Sequence, residues 1–161
     1  MGLKFPEQIY GNCFFVTTTF YNWAKFGNID GLYLELAKSL NFCSEKYQAK
    51  IVGYVFMPFH IHLLLVLFGD NLSGFMRDFK KYIAQKVVKE FGVKKSNIWM
   101  PRYDKVVIYT EKIFRTKLDY IHHNPVKSGL VERVEDWVWS SAGCYIKDER
   151  NVVKIWKNWV Y

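Results

Sequence analysis

This sequence predicts an α+β fold built on a four-stranded antiparallel sheet, on three observations. Residues 14–20 alternate aromatic and β-branched side chains with a period of two, the signature of a strand. Residues 51–57 and 60–68 are two further strand-like runs joined through Met57-Pro58-Phe59, a connection short enough for an antiparallel hairpin. Between the strands lie two longer stretches whose apolar residues recur at helical spacing.

The elements follow in order. Phe14, Val16, Thr18 and Phe20 share one side of the first strand. Asp30 is placed to cap a first helix with Leu32, Leu34, Leu36, Ala37 and Leu40 among its apolar positions. Pro58 ends the second strand, and the third begins at His60. Ser73 opens a second helix whose buried stripe is Phe75, Phe79, Ile83, Val87 and Phe91, and Gly92 ends it. Residues 103–109 form the fourth strand. Thr110 caps a third helix, which Asn124-Pro125 is expected to stop near His123. A Trp-rich segment then packs over the core. Strand, helix, strand, strand, helix, strand, helix is the split βαβ order of ferredoxin-like folds, with a terminal helix and segment added. Such a fold puts its two helices on one face of the sheet and leaves the other free for a ligand or a partner.

With 161 residues, the chain is read as one domain, 1–161, with a C-terminal extension from about residue 126. Half of the residues are apolar and 19% are aromatic, which excludes a disordered chain. Lys and Arg number 23 against 15 Asp and Glu, a net charge of +8 that points to a polyanion, nucleic acid first. Three widely spaced cysteines, Cys13, Cys43 and Cys144, make neither a disulfide framework nor a CxxC site, so a reducing cytoplasm is expected. The longest apolar run, residues 63–68, is far below the roughly 18 residues of a membrane span. No P-loop, GxGxxG or GxSxG is present, so no nucleotide cofactor is expected.

Three constellations could carry chemistry. In His60-Ile61-His62 both histidines project from one face of a strand, about 7 Å apart along it. They read either as polar residues on a solvated face or as a pair of imidazoles converging on one metal ion. Ile61, Leu63, Leu65 and Leu67 form the opposite, core face, and the histidine side runs into Leu64 and Val66, so the pair is half-buried and needs partners. Tyr120 and Asn124 are four apart on one face of the third helix, where Tyr120 flanks a stripe of Phe114, the Lys117 stem, Leu118 and Ile121. Tyr120 reads as a site tyrosine or as an amphipathic residue at the core edge. His122 reads as a surface residue. Tyr82, beside Phe79 and Ile83, reads as packing. Lys80, Lys81, Lys86, Lys89, Lys94, Lys95 and Arg102 gather between residues 77 and 105, interleaved with Phe91, Trp99 and Tyr103. They form a solvated helix face or a phosphate-binding surface.

The order of these motifs resembles a known pattern. From Gly53 to Tyr145 the chain is similar to the one-tyrosine HUH transposases, most of all to the REP-associated tyrosine transposases of bacteria. GYVFMPFHIHLLL resembles the family's strand-turn-strand with its His-hydrophobe-His motif, and NIWMPRYDKVVI the Trp-Arg segment before the last strand. YIHHNPVKSGLV resembles the tyrosine helix and its Asn-Pro turn, and WVWSSAGCY the closing Trp-Ser-Ser segment. VTTTFYNWAKFG fits more loosely. One departure stands out: the family carries Asn directly before the first histidine, where this chain has Phe59, which puts the hairpin's local hydrogen bonding in question.

The resemblance implies a mechanism. His60, His62 and the amide oxygen of Asn124 would hold a divalent ion, Mg²⁺ or Mn²⁺, with two imidazoles suiting Mn²⁺ better on coordination grounds. Tyr120 would be the nucleophile that cuts single-stranded DNA, leaving a 5′-phosphotyrosine link and a free 3′-OH. The partners implied are hairpin or palindromic DNA and a second copy of the chain. Two other functions compete. One is a non-catalytic module of the same fold that binds single-stranded nucleic acid. The other is a metal-dependent phosphoesterase that uses water in place of Tyr120.

Overall fold

The computed structural model describes residues 11–94 and 97–157. Its elements are β1 (Cys13–Thr19), α1 (Leu32–Lys46), β2 (Lys50–Phe56), β3 (His60–Val66), α2 (Leu72–Glu90), β4 (Asp104–Ile108), α3 (Glu111–Lys127) and the short α4 (Ala142–Ile146). Single turns of 3-10 helix occur at Tyr21–Trp23, Phe26–Asn28 and Val134–Asp136. The four strands form one antiparallel sheet in the order β2-β3-β1-β4, the arrangement of a split βαβ fold. No helix among the described residues is long and apolar enough to cross a membrane.

Alternation along β3 divides the core. Ile61, Leu63 and Leu65 join Val16, Tyr54 and Phe56 under α1 and α2, whose buried stripes are Leu32, Leu36 and Leu40 and Phe75, Phe79, Ile83 and Val87. Leu64 and Val66 join Cys13, Phe15, Val52 and Val55 on the other side. That second face, expected from the sequence to be free, is covered. Phe114, Leu118 and Ile121 seat α3 on it, because an amphipathic third helix has no other apolar surface left to cover.

Three boundaries differ from expectation, each for a local reason. Gly31, with a left-handed φ of 85°, takes the N-terminal position of α1, so Asp30 lies outside the helix and does not cap it. α2 begins at Leu72, one residue before Ser73. α3 passes through Asn124-Pro125 and ends at Lys127. Pro125 forfeits only its own N–H. The carbonyls of Asn124 and Pro125 still accept from Ser128 and Leu130, and Gly129 closes the turn with φ 73°. At the other end Thr110 caps the helix by accepting from the Ile113 N–H at 3.2 Å.

The Trp-rich segment runs along the outer edge of β2. Phe56 N–H donates to Trp139 O, Ser141 N–H to Tyr54 O, and Trp156 N–H to Ile51 O. This occupies a sheet edge that would otherwise present unpaired backbone groups.

The turn of the β2–β3 hairpin is tied from outside by two backbone hydrogen bonds. Phe20 N–H donates to Phe59 O at 2.9 Å and Gly27 N–H to Pro58 O at 2.8 Å, so Phe59 leaves no hairpin bond dependent on its side chain. A Cβ at Gly27 would lie 2.8 Å from Pro58 Cα and 2.7 Å from the Tyr33 hydroxyl. Gly27→Ala is therefore expected to lower the free energy of unfolding in urea by about 1–3 kcal/mol, since the hairpin backbone cannot retreat as a side chain would. Wild-type stability in that variant would show the hairpin to be loosely held.

Candidate functional site

The two histidines face the α3 side of the sheet, on the strand that is buried on both faces. His62 is 4% exposed and His60 half-buried, with ring centroids 4.6 Å apart at 71°. Antiparallel register sets Thr17 opposite His62 and Thr19 opposite His60. Thr17 Oγ1 and His62 Nδ1 are hydrogen-bonded at 2.8 Å, and the Phe15 ring stacks on His62 at 5.2 Å.

Burial keeps both rings neutral. It pushes His62 down to about 3, with the neighbouring His60 and Lys117 adding to the effect. It pushes His60 down to about 4, partly offset by a hydrogen bond with Asn124. His60 Nδ1 and His62 Nε2 are buried and find no hydrogen-bond partner among the described residues. Two buried imidazole nitrogens without partners, beside an amide oxygen, form a donor set that a divalent transition metal suits. Among the described residues no group of three His, Cys, Asp or Glu side chains is placed to hold a metal ion.

α3 brings Tyr120 and Asn124 to this place one turn apart. Asn124 is buried, and Tyr120 is 41% exposed. The Tyr120 ring meets His62 edge-on at 5.2 Å and Phe15 at 5.9 Å. Tyr120 is thus partly open to solvent while its ring is held against the histidine layer. Two cations flank it: Lys117, expected only to lay its stem in the helix stripe, and Lys127, not expected near the site. Lys117 Nζ lies 6.0 Å and Lys127 Nζ 5.7 Å from the Tyr120 ring centre, and Lys117 also sits 4.6 Å over Phe15. Spacing could have found them: each lies on the Tyr120 side of α3, three before and seven after.

His122, expected at the surface, is 7% exposed. It turns to the closing segment, where its Nε2 and Ser141 Oγ are 2.8 Å apart. Ser141 Oγ also accepts from the Tyr54 N–H at 3.1 Å. This bond ties α3 to β2 through the Trp-Ser-Ser segment, and burial pushes His122 down to about 4.

The basic residues between 77 and 105 divide. Lys80 Nζ donates to Met100 O at 3.0 Å while its own carbonyl accepts from Trp99 Nε1, so this lysine clamps the segment before β4 onto α2. Lys86 pairs with Glu90 at 2.6 Å and approaches Glu35. Lys81, Lys89, Lys94 and Arg102 are exposed and form no ion pair among the described residues. Lys95 lies outside the described residues. Lys81 and Lys89 ride on α2, across the sheet from Tyr120, whereas Arg102 stands beside the β1–β4 end of the site face. Tyr82 packs as expected, with its hydroxyl donating to Glu35 at 3.0 Å.

The chain is similar to several known proteins. The IS200-like transposase family matches residues 15–124, which include both histidines, Tyr120 and Asn124. A protein of Haemophilus influenzae assigned by name to the REP-associated tyrosine transposases is 34% identical over 115 residues, 65% of each chain. The REP-associated tyrosine transposase of Escherichia coli is 36% identical over 94 residues, 57% of this chain and 53% of that one. The matches thus span less than two thirds of those relatives. A REP-associated tyrosine transposase solved bound to a REP hairpin superposes with a TM-score of 0.73 and 26% identity, covering 92% of this chain and 88% of that one. A Deinococcus radiodurans structure described as a transposase shares the fold at a TM-score of 0.54 and 18% identity.

Two outcomes follow for the buried histidines. Ser141→Ala strands His122 Nε2 and the Tyr54 N–H, and is expected to cost about 1–3 kcal/mol in urea unfolding, well beyond the exposed control Thr116→Ala. Stability should also depend on pH with a definite sign. The unfolded chain protonates its histidines near 6.5 and the folded chain resists until about 4 or below. Stability is therefore full above pH 6.5 and falls as pH drops toward 4. A flat profile across that window would contradict the burial of all three rings.

Proposed function

Because the chain belongs to the IS200-like transposase family, we propose that it is an enzyme that cuts and rejoins single-stranded DNA through a covalent tyrosine intermediate. The observation that carries this reading is the meeting of two partnerless buried imidazole nitrogens, the Asn124 amide and an accessible tyrosine on one face of the sheet. The likeness to a transposase bound to a REP hairpin supports hairpin DNA as the substrate class.

His60, His62 and Asn124 would hold a divalent ion, Mg²⁺ or Mn²⁺, which supplies Lewis-acid polarisation of the scissile phosphate. Thr17 fixes the His62 ring through Nδ1 and leaves Nε2 available. The Tyr120 hydroxyl attacks phosphorus in line. Its oxygen forms the new P–O bond, its proton is lost to solvent or a base, and the 3′ oxygen of the preceding nucleotide departs as a 3′-OH. A 5′-phosphotyrosine remains, and attack by another 3′-OH reverses the step, so joining needs no ATP. Lys117 and Lys127, flanking the Tyr120 ring, offset charge on the phosphate and on the phenolic oxygen. Lys81, Lys89, Lys94 and Arg102 supply further phosphate contacts, with the α2 lysines reaching duplex or strand on the far side of the sheet. β4 is an edge strand with Val106 exposed, a surface suited to the homodimer that this reading includes.

The test is incubation with labelled single-stranded hairpin DNA and Mn²⁺ or Mg²⁺, read on a denaturing gel. Wild type is expected to yield a denaturation-resistant protein–DNA band that Tyr120→Phe and a chelator each abolish. Thr17→Val should weaken Mn²⁺ binding by about 10–100-fold in calorimetry while the fold is kept. Tight hairpin binding without any band would point instead to a binding module. Cleavage without a band would point to a phosphoesterase using water.

A further inference from the structure

The face that carries the histidines continues sideways. Thr17 and Thr19 extend it onto β1, and Asp104, paired with Thr17, extends it onto β4. At this end the surface opens into a pocket of about 390 Å³, bounded by Thr17, Thr19, Trp23, Met100, Arg102 and Asp104. Thr17 belongs to both places, since its hydroxyl is bonded to His62.

Trp23 is the unusual wall of this pocket. A large indole normally goes inside, yet Trp23 is 62% exposed. Its backbone is left-handed at φ 53°, directly after Asn22 at φ 52°, a conformation that bulky residues rarely adopt. The turn that carries it is firmly anchored. Phe20 is fully buried and stacks on Trp99 at 4.5 Å, Tyr21 N–H donates to Ile98 O, and Phe20 N–H donates to Phe59 O next to His60. The indole is thus presented to solvent on a rigid support at a fixed place relative to the histidines. Arg102, opposite, is exposed and forms no ion pair among the described residues. An open aromatic face, a free guanidinium and a carboxylate together match the three parts of a nucleotide better than those of a peptide or a lipid: a flat base, a phosphate and an amino group.

We propose that this pocket is a subsite for one unpaired nucleotide beside the scissile phosphate, with its base stacked on Trp23, its phosphate on Arg102 and its exocyclic amino group donating to Asp104. The proposal rests on the DNA-processing reading above and adds a specificity to it. Thymine has no exocyclic amino group to give Asp104, so adenine, cytosine or guanine is preferred over thymine at this position.

The experiment uses a DNA hairpin with short unpaired flanks and 2-aminopurine placed at successive flank positions. Binding and emission are recorded for wild type, Trp23→Ala, Trp23→Phe and Arg102→Ala. One flank position should lose emission on binding wild type and recover it with Trp23→Ala. That variant should bind flanked DNA on the order of tenfold more weakly, with Trp23→Phe retaining most of the affinity. Thymine at that position should weaken wild-type binding, and a hairpin without flanks should bind wild type, Trp23→Ala and Trp23→Phe alike. If Trp23→Ala binds and quenches as wild type does while the Tyr120-dependent adduct still forms, the subsite is wrong and the enzyme reading stands. If wild type neither binds flanked DNA nor forms the adduct, the enzyme reading fails and the subsite falls with it.

Discussion

The pairing of β3 with β1 is the constraint on which everything else rests. β3 is buried on both faces, so its period-two alternation sends Ile61, Leu63 and Leu65 to the α1/α2 core and His60, His62, Leu64 and Val66 to the α3 side. A slip of one residue would exchange these sets and place two imidazoles in an apolar core. The register is pinned where it matters. Thr17 stands opposite His62 and bonds its Nδ1, and the hairpin turn is tied to Phe20 and Gly27 by backbone hydrogen bonds. Strand pairing therefore decides both which way the histidines point and which of their nitrogens are left without a partner.

The second determinant is how α3 is seated. Its apolar residues Phe114, Leu118 and Ile121 cover the face that the histidines share, and Gly53 on β2 makes room for Leu118, whose Cδ1 lies 2.6 Å from where a Cβ would be. His122 then locks the helix to β2 through Ser141. Hydrophobic burial sets the depth of the helix, and this buried polar bond sets its position along the sheet. Tyr120 and Asn124 reach the histidines as a consequence. The Trp-Ser-Ser segment that supplies Ser141 also covers the β2 edge, so one stretch of chain closes the sheet and positions the helix.

Charge is distributed less simply than a net +8 suggests. Lys80 and Lys86 are engaged in holding the structure together, and the exposed lysines of α2 stand across the sheet from Tyr120. The cations nearest the tyrosine, Lys117 and Lys127, come from its own helix, and Arg102 comes from the segment that Lys80 clamps down. The electrostatics around the site thus arise from residues whose placement follows from α3 seating and from the clamp onto α2, while the exposed α2 lysines carry their charge on the far side of the sheet.

The sequence by itself determined a good deal. Alternation in residues 14–20, the short Met57-Pro58-Phe59 connection and the stripes of the helices were enough for the α+β class, the sheet and the element order, because those patterns are local consequences of strand and helix geometry. The shared face of His60 and His62 and the one-turn spacing of Tyr120 and Asn124 were legible for the same reason. Tertiary structure alone decided what depends on contacts between distant residues. It put α3 on the second face, carried that helix through Pro125, and buried His122 against Ser141. It also gave Lys117 and Lys127 a place beside Tyr120, and set Trp23 against Arg102 next to the histidines. No local periodicity encodes these placements. They emerge when burial of apolar surface chooses which elements meet, and the polar groups then take the partners that packing leaves within reach.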